Sequence, residues 1–352
     1  MTGQAFSLSG LVLLVALPAV VALSATLTAV VRRYALAARL LDHPNERSSH
    51  SVPTPRGGGL SIVVVCLSGT VLMALWRLLD VRLALALCVG GGAVAFVGWL
   101  DDRGQLAVRW RLAVHLAAAA WAVYLLGGLS SVQMGANLLA PGAWGYVLGV
   151  VGIVWALNLF NFMDGIDGIA ASEGTFVALG CATLWYLSGA STGTCVSALI
   201  LGAACCGFLI WNWPPARIFM GDVGSGFVGY TLAVLVIGAQ RNVPVALHIW
   251  LVVFGLFALD ATLTLLRRSL RGERIYEAHR SHAYQHLARY WGSHRRVTLL
   301  ATMLNLVWLL PCAALAAVFP AWAAWILAIA LLPLAAVLLA AGAGRRETPT
   351  CS

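Results

Sequence analysis

The stretch NLFNFMDGIDGIA, residues 158–170, places Asn158, Asn161, Asp164 and Asp167 at intervals of three, with Gly165 and Gly168 among them. Amide and carboxylate oxygens are hard donors. They suit a cation such as Mg²⁺, which keeps water and phosphate oxygens among its ligands. On a continuous helix such a row drifts around the axis, so only adjacent members are neighbours. A helix broken at the glycines would aim several oxygens at one point. A plain polar helix end is the competing reading, and four such groups at this spacing weigh against it.

Other stretches carry compatible chemistry. Asp101 and Asp102 follow an apolar run directly. Adjacent carboxylates repel, which favours a proton or a cation between them; the alternative is an acidic cap at a membrane boundary. Arg109 and Arg111 follow, suited to snorkelling or to phosphate. Asp222 sits between Gly221 and Gly224 in IFMGDVGS, where small residues allow a ligand to approach. Phe219 precedes it and could stack on a base or simply pack. In the first loop, Arg56 and Gly57–Gly59 could contact phosphate or form a flexible helix entry. In AHRSHAYQHLAR, His279, Arg280, His282 and His286 fall together. No cysteine or acid cluster completes a zinc site there. Arginine with histidine suits a pyrophosphate better, against the reading of a solvated basic loop near anionic lipid. Asp260 lies within an apolar run, where an acid is either functional or held by a structural hydrogen bond.

The elements that must position these residues are membrane helices. The 352 residues are 61% hydrophobic and 10% charged, with a mean hydropathy of +0.88, whereas soluble domains average about 25% charged residues. Apolar runs of bilayer-spanning length predict spans over 8–31, 59–79, 81–100, 112–128, 145–160, 173–190, 194–212, 225–240, 246–267, 297–318 and 321–342. The fold class expected is all-α, a polytopic membrane protein of about eleven helices in one domain over 1–352. The first run has no basic residue before it and Arg32-Arg33 after it, which predicts an uncleaved anchor with its N-terminus outside. All 22 basic residues are arginine, and only Arg77, Arg82 and Arg241 fall outside under that topology. Asp80 is the one acid outside. The other acids gather with the arginines on inner loops 32–58, 101–111, 161–172, 213–224 and 268–296, apart from a few in or near the adjoining helices and the tail 343–352. The net charge of +9 therefore reflects placement at the inner leaflet and anionic substrates, not nucleic acid. The eight cysteines are scattered, mostly in apolar spans, and imply no disulfide framework.

Together the stretches LDDRG (100–104), NLFNFMDGIDGIAASEG (158–174), IFMGDVGS (218–225) and AHRSHAYQHLAR (278–289) resemble the polyprenyl-phosphate N-acetylhexosamine-1-phosphate transferase family, in family order and over essentially the whole chain. The fifth-loop stretch looks most like enzymes that initiate O-antigen with GlcNAc, FucNAc or QuiNAc. The resemblance implies a bacterial inner-membrane enzyme with a cytoplasmic active site and C-terminus. It would move a sugar-1-phosphate from a UDP-N-acetylhexosamine to undecaprenyl phosphate, releasing UMP, with Mg²⁺ or Mn²⁺ and, as an option, a homodimer among membrane lipid. It further implies that Asp222 binds the metal with Asn161, that Asp101 and Asp102 serve the lipid phosphate, and that Asn158, Asp164 and Asp167 face the nucleotide-sugar. Phe219 would lie against uracil, and His279, Arg280 and His282 would hold the diphosphate or sugar. Lysines frequent in the family's first two inner loops are absent, leaving Arg56, Arg109 or Arg111 to supply the charge but no deprotonated base. A muramoyl-pentapeptide donor, a secondary transporter, a lipid-phosphate phosphatase and a structural partner are the rival readings.

Overall fold

The computed structural model describes residues 3–42, 52–104, 106–273 and 279–346. Parts of the first and fifth inner loops, residues 43–51 and 274–278, lie outside the described residues.

Each expected span coincides with a helix. Seven are long and apolar enough on their own to cross a membrane: Leu14–Ala37, Val81–Arg103, Trp144–Phe162, Thr192–Asn212, Asp222–Gln240, His294–Val318 and Pro320–Ala340. The pair Ala246–Val253 and Gly255–Leu270 makes an eighth if counted as one span. The other three are Leu60–Leu75, which is shorter, and Val108–Leu126 and Ile169–Leu187. The last two carry Arg109, Arg111, His115 and Glu173, which lower their apolar character. The fold is thus all-α and polytopic. Its strands are two small antiparallel pairs among the described residues, Leu41–Asp42 with Thr54–Pro55 and Val132–Met134 with Asn137–Leu139.

The expected span over 246–267 is built from two helices, Ala246–Val253 and Gly255–Leu270. It bends by 71° at Phe254. Aromatic rings crowd the bend: Trp250 and Phe254 stack at 5.1 Å, and Phe160 lies 5.5 Å from Phe257. Seven cysteines are described and all are unpaired, most of them buried, which agrees with core packing.

The Asp222–Gln240 helix is the axis of the molecule. Its sequence carries no charge after Asp222 and is apolar all round, the pattern of a helix buried on every side. Every residue from Val223 to Gln240 is buried. It packs chiefly on the Trp144–Phe162 and Val81–Arg103 helices. Gly98 allows a close backbone approach, since a Cβ there would stand 2.4 Å from the Asp222 carbonyl oxygen. That approach carries Asp101 and Asp102, one turn further on, to the start of the central helix.

Gly98→Ala should therefore lower stability by about 1–3 kcal/mol through overpacking. Gly92→Ala, on the same helix with open space at its Cβ, should be silent. Thermal unfolding of both variants in one detergent checks this, and equal melting temperatures would remove the close approach as a constraint.

Candidate active site

Helix ends meet on one face of the bundle. Asp102 is the anchor. Its two oxygens accept the Asp222 and Val223 amides at 3.0 and 3.1 Å, capping the central helix at its positive end. Gly221 precedes that turn with φ of +75°, and a Cβ there would fall 2.5 Å from an Asp102 oxygen. Arg56 completes the anchor through a 2.8 Å ion pair to Asp102. The backbone holds Arg56 in place: Phe219 N–H donates to the Pro55 carbonyl, and the Gly58 and Gly59 amides donate to Phe219 and Met220. Two of the three loop-one glycine amides are thereby spent on backbone, so the expectation of a phosphate-binding glycine run is corrected.

Around this anchor the other groups gather. Arg111 bridges two carboxylates, pairing with Asp101 and, at 3.2 Å, with Asp222. The Leu106 amide also donates to Asp101 at 2.7 Å. Asn161 donates its amide to Asp222 at 3.0 Å and to Ser225 at 2.8 Å. Arg109 is instead exposed beside the Trp110 ring, so Arg56 and Arg111 supply the site's cationic groups.

The row of four in 158–167 does break, between Phe162 and Ile169, yet it does not converge on one point. Asn158 turns back and donates to the Val154 carbonyl of its own helix at 2.7 Å. Asn161 reaches Asp222. Asp164 is held in the break, where burial pushes its carboxyl well above the usual range, with the Asp222 and Asp102 charges adding and Arg56 opposing. Asp167 faces another way, accepting the Ala216 amide at 3.0 Å and lying 3.3 Å from His294 Nδ1. Asn212 fixes the break from below by accepting the Gly168 amide.

Beside the cluster opens a cleft of about 690 Å³ whose walls include Asp167, Phe219, Arg280, His294 and Arg295. Its size suits a small ligand, and its charge is predominantly positive. His294 and Arg295 were legible only as part of a basic loop.

The three-residue histidine group separates. His282 is turned inward, 2% exposed and 3.6 Å from Asp260, so the expectation that it holds diphosphate or sugar is corrected. Asp260 explains the turn: its oxygens accept the Ala283 and Tyr284 amides at 2.8 and 3.1 Å, capping the Ala283–Trp291 helix. His279 hydrogen-bonds with the Ser281 hydroxyl. Burial, with His282 and Arg268 adding, lowers its ring to about 3, so it stays neutral near pH 7. Of the group, Arg280 lines the cleft.

The cluster can hold a divalent cation by its donor chemistry. Among the described residues Arg56 pairs with Asp102, and Arg111 with Asp101 and Asp222, while burial first and the Asp222 and Asp102 charges next push Asp164 upward. Among the described residues no three His, Cys, Asp or Glu side chains form a ready metal cage. Mg²⁺ needs none, since one or two carboxylates with water and substrate phosphate complete its shell.

An all-α membrane protein with a carboxylate–arginine cluster beside a cationic cleft is the class that fold and site define. The sequence profile of glycosyl transferase family 4 matches residues 84–240. The chain is 30% identical over 285 residues to a probable undecaprenyl-phosphate N-acetylglucosaminyl 1-phosphate transferase of Bacillus subtilis, covering 80% of this chain and 78% of that one. It is 30% identical over 308 residues to a decaprenyl-phosphate N-acetylglucosaminephosphotransferase of Mycobacterium tuberculosis, covering 75% and 73%. It is 31% identical over 260 residues to a phospho-N-acetylmuramoyl-pentapeptide-transferase of Rhodopseudomonas palustris, covering 64% and 70%. The chain belongs to glycosyl transferase family 4.

Because its carboxyl is raised in the folded state, Asp164 binds a proton more tightly there than in the unfolded chain. Stability must then fall as pH rises from about 4, the ordinary carboxylate range. Asp164→Asn should melt higher than the parent at pH 8, with the gap closing toward pH 4. A gap independent of pH would show that Asp164 ionises freely.

Proposed function

We propose that the protein transfers N-acetylhexosamine-1-phosphate from a UDP-sugar to undecaprenyl phosphate, giving a lipid-linked diphosphate sugar and UMP at the cytoplasmic face of the bacterial inner membrane. The observation that carries this reading is the Arg111 bridge between Asp101 and Asp222 where membrane helices end, with a cationic cleft lined by Phe219, three residues before Asp222. An acceptor with a phosphate head and a long apolar tail reaches such helix ends without leaving the bilayer. The arginine bias of the same loops supports the inner face.

In this reaction an oxygen of the lipid phosphate bonds to the sugar-linked phosphorus of the donor, and the bond from that phosphorus to the UMP oxygen breaks. Both reactants are anionic, so the site must offset their repulsion. Arg111 and Arg56 do part of this. Asp222, with the Asn161 oxygen, would hold Mg²⁺ or Mn²⁺, which supplies charge neutralisation and orientation of phosphate oxygens when bound. Asp101 orients or deprotonates the acceptor phosphate once Arg111 engages substrate. Asp102 is a positioning residue, its oxygens already committed to the helix amides and Arg56. Phe219 lies against the uracil, and Asp167 and Arg280 face the donor in the cleft. The names of the Bacillus and Mycobacterium relatives support GlcNAc. The form of the fifth loop extends the candidates to FucNAc and QuiNAc, in initiation of O-antigen or a related surface polysaccharide. The Rhodopseudomonas relative keeps a muramoyl-pentapeptide donor as the second reading.

Purified protein with undecaprenyl phosphate and Mg²⁺, offered each UDP-sugar separately, should release UMP and form lipid-linked product with one N-acetylhexosamine donor. EDTA and Asp222→Ala should each abolish turnover in folded protein. Appreciable residual turnover in Asp222→Ala would remove its metal role. Arg280→Ala should raise KM for the donor about tenfold or more, as expected for a lost charge-assisted contact worth about 1.5–3 kcal/mol, while leaving KM for the lipid unchanged. An unchanged donor KM would take Arg280 out of the site.

A further inference from the structure

Away from the cleft, the ends of the first helix and of the Thr192–Asn212 helix bring two arginines onto one indole. The Arg32 and Arg217 guanidinium carbons lie 5.9 and 5.7 Å from the centre of the Trp211 ring. Backbone contacts hold the arrangement. Arg32 Nε donates to the Arg217 carbonyl at 3.1 Å, the Arg217 amide donates to the Trp211 carbonyl, and Trp211 Nε1 donates to the Ala25 carbonyl at 3.0 Å. Neither guanidinium forms an ion pair with a carboxylate among the described residues. Two like charges held near one ring without an acid repel each other, and the indole offsets only part of that cost.

The position narrows what would complete the set. Arg32 lies near the end of the first helix and Arg217 in the connection between Asn212 and Asp222, next to a tryptophan of the kind that marks a bilayer interface. Ile210, one residue further toward the membrane interior, is 59% exposed. Arginine pairs at this depth match phosphate, and basic pockets between membrane helices take anionic headgroups. We propose that Arg32, Arg217 and Trp211 form a binding site for the phosphate headgroup of an anionic membrane phospholipid. Arg217 stands two residues before Phe219 and five before Asp222 on the same connection. An occupied headgroup site therefore steadies the segment that carries the cleft wall and the start of the central helix. The assignment is independent of the transfer reaction.

The test uses the full-length protein in nanodiscs of phosphatidylcholine, with and without phosphatidylglycerol, and with inorganic phosphate as a separate arm. Phosphatidylglycerol should raise the melting temperature and be retained as an adduct in native mass spectrometry. Arg32→Gln and Arg217→Gln should each weaken that retention about fivefold, the effect of one interfacial arginine. Arg33→Gln, exposed and removing the same charge next door, should weaken it much less. Melting in pure phosphatidylcholine reports whether each variant is folded, and Arg32→Lys with Arg217→Lys keeps the charge if glutamine is not tolerated. Equal loss in Arg33→Gln would reduce the effect to diffuse charge and overturn the site. Equal stabilisation by inorganic phosphate would overturn the lipid assignment, as would phosphatidylglycerol retention unchanged in the double glutamine variant.

Discussion

The site depends on a carboxylate bound to the open end of a helix. Asp102 receives the first amides of the central helix, and that contact fixes where Asp222 can be. A helix N-terminus carries unsatisfied donors and a partial positive charge. A buried carboxylate without such partners would be costly. Here each offsets part of the other's penalty, and Arg56 adds a full positive charge. The adjacent Asp101 is then left pointing toward Arg111 and Asp222. Neighbouring residues of the same type thus have different jobs: one builds the turn and the other faces the chemistry.

The same device recurs at Asp260. Its carboxylate caps the Ala283–Trp291 helix from inside the bundle and draws His282 inward with it. Arg280, two residues earlier, remains at the cleft. Tyr284 donates its hydroxyl to the Phe162 carbonyl at 3.1 Å, tying this helix to the break that holds Asp164. Both capped helices are therefore tied to the segment 161–168, the first through Asn161 and the second through Tyr284.

Much of this was legible in the residues. The apolar runs marked the helices because backbone satisfaction in lipid leaves few alternatives. The clustering of acids and arginines on alternate loops marked the face. Residue type singled out Asp101, Asp222, Asn161 and Arg280 as candidates, and the structure places the first three in one cluster and Arg280 on the cleft wall. Other positions were not legible, for definite reasons. A period of three cannot say that Asn158 hydrogen-bonds its own helix while Asp167 turns to His294, because the path after a helix break is set by contacts such as Asn212 with Gly168. The partners of Asp260 lie 23 and 24 residues on in sequence, and no local pattern links them. His282 resembled its exposed neighbours because burial is decided by that distant carboxylate. The bend at Phe254 left no proline as a sign, since a ring cluster from two helices fills it.

The complete burial of the Asp222–Gln240 helix has a consequence for the membrane around it. Hydrophobic mismatch acts on helices that touch lipid, which tilt or bend as bilayer thickness changes. The helix that carries Asp222 has no such surface. A thicker or thinner bilayer would be absorbed by the peripheral helices Leu14–Ala37 and Pro320–Ala340, whose spans are far less sheltered. The carboxylate cluster is in effect mounted on an inner post, and its geometry is insulated from the thickness of the bilayer in which the protein sits.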